Sequence, residues 1–166
     1  MAQPLPSLSV QPARPADYAE ISELTVRVYV DGELGSAGYV PELADVAGRA
    51  SRADLLVVRD DDGRIVGSVA LVLAGDFGEV TSSDDEAAFR MLVVDPSARG
   101  RGVGELLVTA CLERARAAGK RRMVISTDPR MTVAHRLYRR LGFTRLPERD
   151  WSPMSGIQLL VYALDL

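Results

Sequence analysis

Phe89-Arg90-Met91-Leu92-Val93-Val94-Asp95-Pro96-Ser97-Ala98-Arg99-Gly100-Arg101-Gly102-Val103-Gly104 is the stretch that decides the fold. A largely apolar run, residues 89–94, enters an Asp-Pro-Ser-Ala turn, and a glycine-rich segment then opens an amphipathic stretch from Glu105 to Ala118. A strand, a glycine turn and a helix start therefore come in sequence. Such a junction aims backbone N–H groups and the positive end of a helix dipole at one spot, which suits a phosphate or pyrophosphate. Arg99 and Arg101 add charge and fork-shaped donors that match phosphate oxygens. Gly100, Gly102 and Gly104 let a ligand approach the main chain without Cβ interference. The spacing excludes two other phosphate loops. No Lys-Ser/Thr follows, as a Walker A loop requires, and Gly-x-Gly-x-Gly does not fit the Gly-x-Gly-x-x-Gly of a dinucleotide fold.

A second segment, Met131 to Phe143, carries apolar residues at 131, 134, 137, 138 and 141, which are helical intervals. Arg139 and Arg140 fall in its last turn, where cations suit the helix dipole. Gly142 is placed to end the helix in a left-handed conformation, with Phe143 folding back as its hydrophobic contact. A strand, Arg122 to Ser126, lies between the two segments.

Arg99-x-x-Gly102-x-Gly104 resembles the acyl-CoA pyrophosphate loop of the GNAT superfamily of N-acyltransferases, Gln/Arg-x-x-Gly-x-Gly/Ala. Ala134-x-x-Leu137-Tyr138-x-x-x-Gly142-Phe143 resembles the other signature of that superfamily, in the same order and at the same spacing. The resemblance is strong over residues 89–144 and holds in outline over the N-terminal half. It implies an α/β fold with a central mixed, mostly antiparallel sheet flanked by helices. It implies acetyl-CoA as co-substrate, held by Arg99, Gly100, Arg101, Gly102, Val103 and Gly104 at the pyrophosphate and by the backbone of Leu92, Val93 and Val94 along the pantetheine. Tyr138 matches the tyrosine that stands near the CoA sulfur and can protonate the leaving thiolate. Met131 occupies a position where many members carry Asn, so an amide contact is replaced by apolar packing.

The activity implied is direct transfer of an acetyl group to a primary amine of a small molecule or peptide in a ternary complex. A lysine amine of ordinary pKa, about 10.4, is only about 0.1% neutral at pH 7.4, whereas an amine near 8 is tens of per cent neutral. The thiolate that leaves, of pKa about 8.5, benefits from a nearby acid. Many members place a Glu on the motif strand where this chain has Ala88. Glu86, two residues earlier, shares that strand face and is a candidate base acting through water; the competing reading is a solvated strand-end residue. The substitution at Ala88 keeps a non-catalytic CoA-binding module open as an alternative, and a longer acyl donor is another.

Other residues carry weaker signals. His135 stands off the apolar stripe, which suggests a surface or cofactor-adjacent position. Cys111 falls on the apolar face of the first motif helix and reads as a core thiol. One His and one Cys make no recognisable metal site. Trp151, Tyr39 and Tyr29 are candidate walls of an acceptor pocket, and Asp31, Glu33, Glu148 and Asp150 can attract a cationic amine.

Composition agrees. The 166 residues suit one domain, 1–166, with residues 1–7 a loose tail. Apolar residues are 47% and charged residues 26%, an ordinary soluble balance, and the net charge of −3 argues against a nucleic-acid binder. No apolar run approaches the ~20 residues of a membrane span, and no signal peptide is read. The single cysteine forbids an internal disulfide and suits a reducing cytoplasm. A homodimer is left open. Along the chain the pattern predicts strands at 8–13, 55–58, 65–73, 89–94, 122–126 and 159–164. It predicts helices at 15–30, 40–49, 105–118 and 131–141, with loops at 31–38, 75–85 and 148–153.

Overall fold

The computed structural model describes residues 8–34, 38–75, 77 and 79–166; the tail expected at residues 1–7 lies outside them, as do parts of the loops expected at 31–38 and 75–85. The elements are β1 (Val10–Pro12), α1 (Tyr18–Asp31), α2 (Val40–Ala44), α3 (Val46–Ala50), β2 (Asp54–Arg59), β3 (Ile65–Val72), β4 (Glu86–Val94), α4 (Val103–Ala117), β5 (Arg122–Thr127), α5 (Thr132–Arg140), β6 (Thr144–Arg145), β7 (Trp151–Met154) and β8 (Ile157–Asp165). They fall into two compact units, Met1–Ala70 with Met91–Ala110, and Leu71–Arg90 with Cys111–Leu166.

In the first unit the strand order is β1-β2-β3-β4. β1 pairs antiparallel with β2, from Val10 opposite Val58 to Pro12 opposite Leu56. α1 follows a short 3-10 turn, Pro15–Asp17. The Asp17 carboxylate accepts the Arg14 N–H at 2.8 Å and pairs with Arg59 at 2.8 Å, which fixes the helix entry to β2. Ile21 and Leu24 point inward from α1 and meet Val46, Leu55, Val57, Ile65, Ala70 and Val93. Glu20 of α1 also accepts the Ile65 N–H at 2.9 Å at the start of β3. All eight residues of β3 are buried, the pattern of a strand covered on both faces. Gly67 is required there: a Cβ would stand 2.5 Å from Val103 Cγ1 and 3.0 Å from Leu107 Cδ1, so its absence lets the first turns of α4 lie on β3. The single helix expected at 40–49 is two. Asp45 leaves the helical region (ψ 72°) and its carboxylate accepts the Gly48 N–H at 3.0 Å, ending one short helix and capping the next.

In the second unit the order is β4-β5-β8-β6, with β7 on β8. β4 and β5 are parallel, through Glu86–Arg122 and Ala87–Met123. β5 and β8 are antiparallel over six pairs, from Arg122–Asp165 to Thr127–Leu160. β6 and β7 are also antiparallel to β8, so the mixed, mostly antiparallel arrangement matches the expectation. The loop expected at 148–153 instead contains a 3-10 turn, Pro147–Arg149, and β7. β6 and β7 have only two and four residues, too short for an alternating pattern to register. Phe89 of β4 packs at 5.9 Å from the Tyr138 ring and 6.3 Å from Phe143, and Tyr138 lies 6.1 Å from Tyr162. α5 ends as its sequence predicts: Phe143 N–H donates to Tyr138 O and Gly142 N–H to Arg139 O, with Gly142 at φ +99° and the two rings 5.7 Å apart.

Candidate active site

In the first unit the glycine loop is an arch between two buried feet. Ala98 and Val103 are each 1% exposed, while Arg99, Gly100, Arg101 and Gly102 are exposed. The entry is set by Asp95, whose carboxylate accepts the Ser97 N–H at 2.9 Å and the Ser97 hydroxyl at 2.7 Å, closing the turn Pro96–Ala98. Gly100 and Gly102 have φ of +77° and +80°, a conformation that costs an L-residue about 1–2 kcal/mol. A Cβ at either would meet nothing within 4 Å, so it is the backbone conformation that demands glycine, and the space above the loop is open to a ligand. Gly102 O accepts the Leu106 N–H at 3.0 Å, and the N–H groups of the first turn of α4 therefore point out of its end. Open space, two exposed guanidinium groups and a helix N-terminus fit a pyrophosphate.

The strand that leads into the loop is irregular. Met91 has φ +53° in the middle of β4, an outlier for a non-glycine residue of the kind found at bulges and strained sites. Val93 beyond it is buried, and Leu92 and Val94 are half-buried. Nothing in the residue types of 89–94 signals this kink.

In the second unit Tyr138 is 4% exposed and held by Phe89, Phe143 and Tyr162. His135, one turn earlier, is not at the surface, one of the two positions expected for it, but 5% exposed. Its Nε2 lies 3.2 Å from Thr127 Oγ1 and its ring 5.4 Å from Tyr162. The buried face of α5 is thus centred on His135 and Tyr138, and Ala134, Leu137 and Leu141 form its half-buried flank. A polar residue can occupy that face because β5 supplies a hydroxyl. Burial pushes the His135 pKa below 6.5, against a hydrogen bond to the Asp128 backbone that favours the charged ring. A lowered histidine pKa means the unfolded chain binds the extra proton, so this contribution is complete above pH 6.5 and is lost as pH falls below it. The melting temperature is expected to fall between pH 7.5 and 5.5, and the slope to shrink in His135→Gln. Met131 is half-buried, with its sulfur 3.8 Å from Thr127 Oγ1.

Glu86 is neither a solvated strand end nor a group poised to take a proton. Arg149 grips it with two bonds, Nη1 to Oε2 at 2.8 Å and Nη2 to Oε1 at 2.9 Å, and Ser82 N–H donates to Oε1 at 2.8 Å. Arg149 also donates to Val80 O. The Arg149 hydrogen bonds dominate and hold the Glu86 pKa down at about 2, which makes it a weak base. The pair joins the start of β4 to the turn before β7. Its partner stands 63 residues away, so no local pattern announces it. The Glu86 side chain is 8% exposed, and Arg149→Met is expected to lower stability by about 2–3 kcal/mol at pH 7 by stranding that carboxylate. Glu86 has a lowered pKa, so the pair's contribution is present above pH 4.5 and is lost as pH falls toward about 2. Urea titrations of wild type and variant at pH 7 and pH 3 check both statements, the gap closing at the lower pH.

The remaining candidates divide. Tyr29 and Tyr39 stack edge-on at 6.2 Å in the first unit. Trp151, in the second, is half-buried in β7, and its Nε1 is buried without a hydrogen-bond partner. Asp150 is not available to an amine: Arg145 holds it through two bonds, at 2.8 and 2.7 Å, and it accepts the Val161 N–H. Asp31, Glu33 and Glu148 are exposed. Cys111 is buried in the core. Among the described residues no cluster of three or more His, Cys, Asp or Glu could hold a metal, and no helix is long and apolar enough to cross a membrane.

A mixed α/β sheet with a strand that runs through a basic glycine arch into a helix is the arrangement expected of a CoA-type acyltransferase. Residues 19–143 match the model of the acetyltransferase (GNAT) family. The glucosamine 6-phosphate N-acetyltransferase 1 of Oryza sativa subsp. japonica is 31% identical over 168 residues, covering 86% of this chain and 93% of that protein. A GCN5-related N-acetyltransferase from Kribbella flavida superposes with a TM-score of 0.72 at 27% identity, over 96% of this chain and 98% of that one. The fold also matches YncA from Salmonella typhimurium, solved with its cofactor acetyl-CoA, with a TM-score of 0.69 at 22% identity over 97% and 95% of the two chains. The chain belongs to the GNAT family, and with it to the acetyl-CoA-dependent N-acetyltransferases.

Proposed function

We propose that the protein transfers the acetyl group of acetyl-CoA to the primary amine of a small molecule, and that an amino-sugar phosphate is the acceptor class to test first. The observation that carries the reading is the exposed arch of Arg99–Gly102, with its two left-handed glycines, in a chain similar over most of its length to a glucosamine 6-phosphate N-acetyltransferase. Arg99, Arg101 and the first-turn N–H groups of α4 neutralise the pyrophosphate, and the backbone at Leu92, Val93 and Val94 aligns the pantetheine. The kink at Met91 supports that role, because it re-aims the strand where the family's ligand pairs with it. Tyr138 gives its phenolic proton to the departing thiolate.

The carboxylate chemistry favours a particular kind of acceptor. Ala88 carries no acid and Glu86 is committed to Arg149, so the amine has to reach its neutral form without either. A 2-amino sugar suits this, since its ring and hydroxyl oxygens withdraw electrons and lower the basicity of the nitrogen. A lysine side chain, about 0.1% neutral at pH 7.4, suits it poorly. A lone buried cysteine suits work in a reducing compartment such as the cytoplasm.

The test is a panel of amines offered with acetyl-, propionyl- and octanoyl-CoA, read by thiol release. Turnover of glucosamine 6-phosphate with acetyl-CoA, well above that of lysine peptides, is the expected result. Release confined to peptide amines would overturn the acceptor class, and release confined to octanoyl-CoA would overturn the donor.

A further inference from the structure

We infer that Asp95 is a positioning residue for coenzyme A, strapping the entry of the glycine loop to α1 and to the turn before β3 so that residues 99–104 stand in their binding conformation. The inference rests on the proposed use of acetyl-CoA. All four polar atoms of Asp95 are engaged within the first unit. Its N–H donates to Val66 O at 2.8 Å, and its carbonyl accepts the Ala98 N–H at 2.9 Å. Oδ1 takes both Ser97 donors, at 2.9 and 2.7 Å. Oδ2 accepts from Arg27 Nη2 at 2.6 Å and lies 3.7 Å from Arg64 Nη2. Arg64 in turn donates to the Ser97 hydroxyl at 3.0 Å. The Asp95 side chain is 8% exposed, against 48% for Arg27 and 55% for Arg64. A buried anion is thus braced by two half-exposed cations, and the buried Ala98 and the arch begin three residues later.

Charge alone argues against an aspartate here. It stands four residues before Arg99, at the root of a loop that is to bind a polyanion, and it occupies two arginines that would otherwise attract one. If attraction were all that mattered, Asp95→Asn would bind coenzyme A more tightly. A loop whose competent shape depends on the strap behaves in the opposite way, because the variant has to order the arch on binding. A merely structural role would lower the melting temperature and leave the affinity of the folded protein unmoved.

The experiment is titration calorimetry of coenzyme A into the full chain as wild type, Asp95→Asn, Ser97→Ala and the double variant, each with a thermal melt in the same buffer. Asp95→Asn is expected to bind at least tenfold more weakly. Ser97→Ala, an exposed neutral change that removes the hydroxyl shared by Asp95 and Arg64, is expected to bind a few-fold more weakly. The double variant should be no weaker than Asp95→Asn alone, since both break one strap. Equal or tighter binding by Asp95→Asn overturns the inference and leaves the proposed function standing. If Asp95→Asn does not fold, an unchanged affinity in Ser97→Ala overturns it. Failure of the wild type to bind coenzyme A overturns the proposed function, and this inference with it.

Discussion

Gly102→Glu is expected to leave a folded protein that no longer binds coenzyme A. The position has φ +80°, so any side chain costs about 1–2 kcal/mol, within the 5–15 kcal/mol stability of an ordinary domain. Beyond the adjoining residues nothing lies within 4 Å of the new Cβ, so no neighbouring group blocks the side chain and the carboxylate enters the space above the arch. There it takes the place of the pyrophosphate, repels it, and pairs with Arg99 or Arg101. The expected loss exceeds 100-fold in affinity. Calorimetry with coenzyme A, beside a melt that shows a cooperative transition, checks it. An affinity within threefold of wild type would place the pyrophosphate elsewhere.

Tyr138→Phe is expected to lower kcat by about 10- to 1000-fold with little change in coenzyme A affinity, the range for losing one general acid. The variant keeps the ring that Phe89, Phe143 and Tyr162 enclose, so the packing of α5 on the sheet survives. Steady-state kinetics on any acceptor that turns over, with the coenzyme A dissociation constant measured separately, provide the check. An unchanged kcat would mean that water or another group protonates the thiolate.

Sequence reading succeeded where the signal is local. The arch from Arg99 to Gly102, the Gly142-Phe143 helix end and the core position of Cys111 each follow from residues a few places apart, and the chain adopts them. It failed where the partner lies on another element of the fold. Glu86 reads as a base or a solvated end because Arg149 is 63 residues distant, and His135 reads as a surface or cofactor-adjacent residue because its own helix does not show that Thr127, on a neighbouring strand, satisfies it. Asp95 read only as part of a turn. Its bond to Ser97 is legible in Asp-Pro-Ser, but Arg27 lies 68 residues away. Polar and charged side chains are the common element in these misses. Apolar periodicity carries no information on which group elsewhere in the fold makes the burial of a polar or charged side chain tolerable. The kink at Met91 has no counterpart in the residue types around it, and the break at Asp45 is a local cap, Asp45 to Gly48, inside a stretch whose apolar spacing reads as one helix.

Titration calorimetry of acetyl-CoA into the wild-type protein tests the central claim most directly. One site per chain, with a dissociation constant in the micromolar-to-millimolar range of enzyme substrates, is the expected result. It should be matched by a gain of about 2.7 kcal/mol in stability when the ligand stands 100-fold above that constant. No heat and no shift of the melting temperature at millimolar acetyl-CoA would contradict it.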